Sequence, residues 1–217
     1  MQQLACNIAA TRPDVGARAT RGQAPSGATG RANPETTEVE KKTINPAPLG
    51  LSGFALTTWL LSMHNAGLAS AEMLPLVLAC AFAFGGTAQF VAGVMEAGSG
   101  NSFGFVAFCG YGAFWWSFGL IVEFFPKGLA YVGWYLLMWS VFTTFMWVAT
   151  WKKAMALRLV FTAVTPTFYA LAFGALLGLP MLGTVGGYLG MLTAALAFYL
   201  AAAEVINESW GRTVLPI

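Results

Sequence analysis

The side chains that could do chemistry in this chain are polar groups set among apolar neighbours. The stretch Asn45 to Asn65 reads NPAPLGLSGFALTTWLLSMHN and carries Thr57, Thr58, Ser62, His64 and Asn65. Its two prolines and two glycines predict that its start is not a plain helix. Hydroxyl, amide and imidazole groups hydrogen-bond polar solutes, and they are costly in hydrocarbon when nothing satisfies them. The pattern therefore raises the question of what these groups face.

Other kinds of chemistry find little support in the sequence. The cysteines Cys6, Cys80 and Cys109 form no CxxC pair, and a single histidine, His64, excludes a multi-histidine metal site. Nucleotide-binding motifs are missing, and no serine has a histidine or lysine partner at membrane depth. We therefore expect no enzyme, no metal, no cofactor and no nucleic-acid partner.

The composition indicates a protein of the lipid bilayer. The chain has 217 residues, of which 57% are hydrophobic and only 9% charged, whereas soluble domains carry about 25% charged residues. Residues 1–43 lack apolar periodicity and are predicted to be a disordered cytoplasmic tail. Their basic and hydroxyl residues also fit an organelle transit peptide, but four acidic residues favour a solvated tail. Residues 44–217 are predicted to form the transmembrane domain.

Six apolar segments predict an all-α membrane protein with six transmembrane helices, since each has the ~20 residues that cross a bilayer. Pro166 lies inside the fifth segment and is expected to kink or open it. The predicted helices lie near 49–67, 73–96, 102–124, 130–150, 156–178 and 182–205.

The basic residues predict the orientation. With six spans, ten of the eleven lysines and arginines fall on the side that holds both termini, and only Lys127 falls on the other. The excess of basic residues on cytoplasmic loops therefore places both termini in the cytoplasm.

The second span also carries polar groups at membrane depth, because Gly85 and Gly86 precede Thr87 and Gln89. Gln89 either hydrogen-bonds a neighbouring helix, with Asn65 as one partner, or lines a polar path where the glycine pair unwinds the helix. Glycine-marked breaks in spans one and two, with threonines around Pro166, are typical of a transport site near the midplane.

Several longer motifs resemble the acetate uptake transporter family, of the succinate–acetate permease type. The resemblance covers residues 44–217. Its motifs are NPAPLGLSGF (Asn45 to Phe54), MHNAG (Met63 to Gly67), FGGTAQFVAGVMEAGSGNSFG (Phe84 to Gly104), YGAFW (Tyr111 to Trp115) and EVINESWGRTVLPI (Glu204 to Ile217).

This resemblance implies a pore in each protomer of a homohexamer, narrowed by apolar side chains. By motif the constriction is formed by Phe54, Tyr111 and Val164, where Val164 replaces the family's usual leucine and should widen the path. Ala197 is implied to lie near the path.

For two of the signature residues the sequence leaves two interpretations open. Asn45 either orients the backbone around Pro46 and Pro48 or contributes to a carboxylate site. His64 either makes a structural hydrogen bond or takes part in proton coupling.

The resemblance implies transport of acetate, and of succinate or other short carboxylates, through the plasma membrane or a bacterial inner membrane. The sequence leaves a channel and a proton-coupled carrier open. The alternative is a membrane sensor that binds acetate and signals through its cytoplasmic tail.

Overall fold

The computed structural model describes residues 44–217, and the expectation for residues 1–43 lies outside them. Within the described range the chain forms helices and short connections, with no strand. A π-helical segment, Ala81–Ala88, joins the second helix to the third. The α-helices are α1 (Ala47–Asn65), α2 (Leu74–Cys80), α3 (Gln89–Gly98), α4 (Ser102–Phe124), α5 (Val132–Ala149), α6 (Met155–Leu177) and α7 (Pro180–Trp210).

Five helical segments of the described chain are long and apolar enough to cross a membrane: 71–98, 102–124, 126–152, 155–177 and 180–210. This confirms an integral membrane protein built from helices. Helix α1, with 19 residues, is not among the five, because its threonines, serines, His64 and Asn65 lower its hydropathy.

The start of α1 corrects a prediction. We expected a departure from plain helix there, but α1 begins at Ala47 and continues through Pro48, Gly50 and Gly53. Proline is tolerated in the first turn because the N–H groups of that turn have no helical partner. The glycines serve packing instead. A Cβ at Gly50 would lie 2.6 Å from the ring of Phe108, and one at Gly53 would lie 2.6 Å from a backbone oxygen.

The second span does depart from an α-helix, at the glycine pair. Gly85 and Gly86 lie in the π-helical segment, where the helix is widened by its longer hydrogen-bonded turn. The Thr87 hydroxyl donates to the carbonyl oxygen of Phe82 at 2.7 Å, which satisfies one backbone acceptor in the segment. The prediction of a break in both spans one and two is therefore wrong, since of these two spans only the second departs from an α-helix.

Pro166 does not open the fifth span, because α6 is helical from Met155 to Leu177. Proline removes one backbone donor, and nearby hydroxyls turn to the backbone, with Thr165 donating to the Phe161 carbonyl at 2.7 Å. Packing of α6 between α5 and α7 supports the helix on both sides.

The helices surround a shared core. In order around the bundle, α1 contacts α3 and the π-helical segment, these contact α4, α4 meets α5, and α5, α6 and α7 follow until α7 returns to α1. Aromatic residues of α1, α4 and α6 dominate the buried centre. The functional side chains are therefore placed by three helices that meet at the middle.

Small residues allow the closest of these contacts. A Cβ on Gly187 would collide with the backbone nitrogen of Ala66, at the end of α1, whereas a Cβ on Gly183 would meet nothing within 4 Å. Of this GxxxG pair, Gly187 is the one that sets the separation of α1 and α7.

We predict that Gly187→Ala destabilises the protein by about 1–3 kcal/mol, because a backbone atom cannot give way to the added methyl group. Gly183→Ala is the matched control. It should be neutral or stabilising by up to ~1 kcal/mol, since alanine favours helix. Unfolding of both variants in detergent measures the difference, and equal stabilities would contradict this account of α1–α7 packing.

Candidate solute pathway

Two cavities lie along the centre of the described bundle. The larger has a volume of about 370 Å³ and includes Thr58, His64, Asn65 and Phe168 in its lining. The smaller has about 30 Å³, roughly the volume of one water molecule in the liquid. No lysine, arginine, aspartate or glutamate of the described range lines either cavity.

Phe54 and Val164 line both cavities, so these two side chains stand between them. Both are buried, with 7% and 3% of their surface exposed. Tyr111 lines the smaller cavity, and its ring centre lies 5.6 Å from that of Phe54. The structure thus brings together the three residues predicted for a constriction. We call Phe54, Tyr111 and Val164 the apolar wall.

Hydrogen bonds and ring contacts hold Tyr111 in the wall. Its hydroxyl donates to Thr143 Oγ1 at 2.9 Å, and the Thr143 hydroxyl donates to the Trp139 carbonyl at 2.7 Å. Its ring stacks on that of Phe168, with the two ring centroids 6.3 Å apart. It makes a T-shaped contact with Phe142, with the centroids 5.5 Å apart. Tyr111 therefore links α4 to α5 through its hydroxyl and presents its ring to the wall.

The larger cavity holds three of the predicted polar residues: Thr58, His64 and Asn65. Thr58 Oγ1 and His64 Nδ1 are buried and have no hydrogen-bond partner within residues 44–217. A buried polar atom without a partner is uncommon and points to a function or to a bound partner.

Gln89 lies on the other side of the wall, where it lines the smaller cavity. It is the first residue of α3, directly after the π-helical segment, and only 1% of its surface is exposed. Its Oε1 has no partner in the described chain, and Asn65 lines the other cavity. The arrangement favours the interpretation of Gln89 as a residue of the path over a hydrogen bond to Asn65.

Trp115 is a residue of this region that the sequence did not single out as a site. It lines the larger cavity, is 2% exposed, and its Nε1 has no partner within the described range. A tryptophan in the middle of a span, where interfacial anchoring does not account for it, was the available signal.

The remaining predicted residues line neither of these two cavities. Asn45 begins the helical domain: its Oδ1 accepts the Ala47 N–H at 3.0 Å, and its Nδ2 donates to Glu204 of α7 at 2.9 Å. These contacts favour the backbone-orienting interpretation. Thr57 donates to the Gly53 carbonyl at 3.0 Å. The others are Pro46 and Pro48 at the start of α1 and Ala197, fully buried in the core.

Long apolar helices around two uncharged cavities that meet at an apolar wall define a membrane protein of the channel or transporter class. A model of the GPR1/FUN34/yaaH family matches residues 28–216, and the chain belongs to this family. This match begins at residue 28, upstream of the first sequence motif, which begins at Asn45.

Three comparisons with individual proteins agree with this membership. The chain is 43% identical over 182 residues to the succinate-acetate/proton symporter SatP of Escherichia coli (strain K12), covering 81% of this chain and 96% of SatP. It is 34% identical over 198 residues to acetate permease A of Emericella nidulans, covering 82% of this chain and 66% of the permease. A solved structure of the bacterial acetate channel SatP is 42% identical, with a TM-score of 0.77, and the match covers 81% of this chain and 99% of that one.

We predict that Tyr111 and Thr143 are energetically coupled. In a double-mutant cycle, Tyr111→Phe and Thr143→Val should show a coupling energy of about 0.5–1.5 kcal/mol, because each removes the same hydrogen bond. Tyr111→Phe combined with Thr193→Val is the control, since Thr193 donates to the Leu189 carbonyl in α7. Denaturant unfolding in detergent gives the energies, and additive effects for the first pair would contradict the contact.

Proposed function

We propose that this chain is a six-span transporter that passes acetate and related short carboxylates, including succinate, through a pore in each protomer. The observation that carries the proposal is the apolar wall of Phe54, Tyr111 and Val164 between two uncharged cavities. The names of SatP and acetate permease A support the choice of solute. Those names describe transport, so we do not propose the sensor alternative.

Helix α1 serves as the sixth span in this proposal. At about 1.5 Å per residue its 19 residues reach roughly 28 Å, close to the ~30 Å hydrocarbon core. Its polar residues do not argue against a span, because α1 contacts α7, α3 and the π-helical segment and turns Thr58, His64 and Asn65 to the larger cavity. The basic residues then support cytoplasmic termini.

The wall suits a small amphiphilic acid. The methyl group of acetate matches apolar side chains, whereas a hydrated inorganic ion would have to give up its water without compensation. The lack of a cationic residue in the lining also fits transport, because a pore must hold its solute weakly enough to release it. Both a channel and a proton-coupled carrier satisfy these conditions.

We also propose a homohexamer in a plasma membrane or bacterial inner membrane, as the family resemblance implies. An outer groove between α3 and α4 offers one apolar surface for a neighbouring subunit, because it is lined by Phe90, Val91 and Trp116, each more than a third exposed. Such an apolar surface suits either lipid or another subunit.

Uptake of radiolabelled acetate into liposomes that contain only this protein tests the proposal. We expect uptake well above that of empty vesicles, and competition by unlabelled acetate and succinate. Binding of acetate without uptake above the empty vesicles would reject a transporter.

We predict that Val164→Ala raises succinate uptake relative to acetate uptake several-fold, because the smaller side chain widens the wall. Val164→Leu should lower the ratio. Val132→Ala, in the lining of the larger cavity away from the wall, is the matched control and should leave the ratio unchanged. Equal ratios for all three variants would remove Val164 from the path.

A further inference from the structure

We propose that the indole N–H of Trp115 and the hydroxyl of Thr58 are the hydrogen-bond donors that hold the carboxyl group of the solute as it crosses the apolar wall. This inference rests on the proposed function and names the polar groups that act at its narrowest point.

Both residues stand one helical turn from the wall, on the same side. Thr58 follows Phe54 by four residues in α1, and Trp115 follows Tyr111 by four residues in α4, a rise of about 6 Å in each helix. The two helices run in the same direction past the wall. Their first turns contribute Leu51 and Phe103 to the smaller cavity, and their later turns line the larger one.

The two donors differ from comparable groups elsewhere in the bundle. Threonine hydroxyls inside these helices usually donate back to their own helix, as Thr57 does to Gly53 at 3.0 Å and Thr193 does to Leu189 at 2.8 Å. Thr58 Oγ1 makes no such bond and has no other partner within residues 44–217. A protein gains nothing in stability from an unsatisfied hydroxyl at a buried site.

The contrast holds for tryptophan as well. Trp147 Nε1 donates to Thr162 Oγ1 at 2.9 Å, whereas Trp115 Nε1 has no partner in the described chain. Trp115 is also the more buried of the two, with 2% of its surface exposed.

The fold positions Trp115 closely. A Cβ on Gly85 would lie 2.9 Å from Trp115 Cδ1, the ring atom bonded to Nε1, so the π-helical segment leaves room for the indole only because residue 85 is glycine. The indole also makes T-shaped ring contacts with Phe114 and Phe118, with ring centroids 5.1 Å and 6.2 Å from its own. The donor is therefore held in place before any solute arrives, which lowers the entropy cost of binding.

The chemistry of the two donors selects an acceptor. An indole N–H donates only, and a threonine hydroxyl donates or accepts, so each of the two groups can donate to a carboxylate oxygen. In this structure less than 1 Å² of either polar atom is exposed, so neither atom faces open cavity space before a solute enters. The acceptor thus arrives with the solute, and the two donors replace water that the carboxyl group gives up at the wall.

Neutral donors also meet the requirement of release. A lysine or arginine at this position would hold a carboxylate tightly, whereas an N–H and an O–H offset desolvation without trapping the solute. The ligand class is a small carboxylate, and the oxygens rather than the methyl group are the recognised atoms.

Acetate uptake in liposomes by two variants that each lack one donor tests the proposal. We expect Trp115→Phe and Thr58→Val each to raise the KM for acetate by roughly tenfold, the scale of one lost hydrogen bond to a charged group, while Thr58→Ser keeps the wild-type value. The controls are Trp147→Phe and Thr165→Val, whose polar atoms already have protein partners. Unchanged KM values for both test variants, with uptake intact, would overturn the assignment.

A binding measurement on the wild-type chain separates this inference from the proposed function. With the eight tryptophans labelled with ¹⁵N in the indole, the resonance that disappears in Trp115→Phe identifies Trp115. Sodium acetate should shift that resonance downfield, and sodium chloride at equal ionic strength should not. A shift without uptake would contradict transport but keep the binding site, whereas uptake without a shift would overturn the site and keep transport.

Discussion

The proposed pathway depends on the place of Phe54 and Val164 between the two cavities, since both side chains line both of them. A carboxyl group that moves from one cavity to the other must leave water at these apolar side chains, and its free energy there decides what passes. Among residues 44–217, no lysine, arginine, aspartate or glutamate lines either cavity. In the proposed function, selection therefore rests on the width of the wall and on neutral hydrogen-bonding groups beside it.

Close helix packing makes this arrangement possible. Glycines at 50, 53, 85 and 187 each have a neighbouring atom within 3 Å of the place where a Cβ would stand. At Gly53 and Gly187 that atom belongs to the backbone of another segment, so α1 approaches the π-helical segment and α7 closely. Three of these glycines, at 50, 53 and 85, belong to the family motifs near the start of α1 and in the second span. The spacing of these glycines therefore indicates close helix packing as much as backbone flexibility.

Much of this could be predicted from the sequence, because apolar length and motif order are local properties. The positions of Phe54, Tyr111 and Val164 followed from the family motifs. One error has a physical cause: glycine and proline occur both at helix breaks and where helices pack closely, so the start of α1 was misjudged. Helix α6 does not open at Pro166, and the kink expected there stays a prediction. Trp115 was missed because an unpartnered donor is a property of its surroundings, which no local pattern contains.

Thiol labelling on the two sides of the wall tests the central claim most directly. In a chain with Cys6, Cys80 and Cys109 replaced by serine, Leu61→Cys reports on the larger cavity and Val160→Cys on the smaller one. In liposomes, with an impermeant methanethiosulfonate reagent confined to the side on which the larger cavity opens, we predict that residue 61 is labelled at least tenfold faster than residue 160, and that adding Phe54→Ala brings the two rates together. Equal labelling rates while Phe54 is intact would contradict a wall at this position.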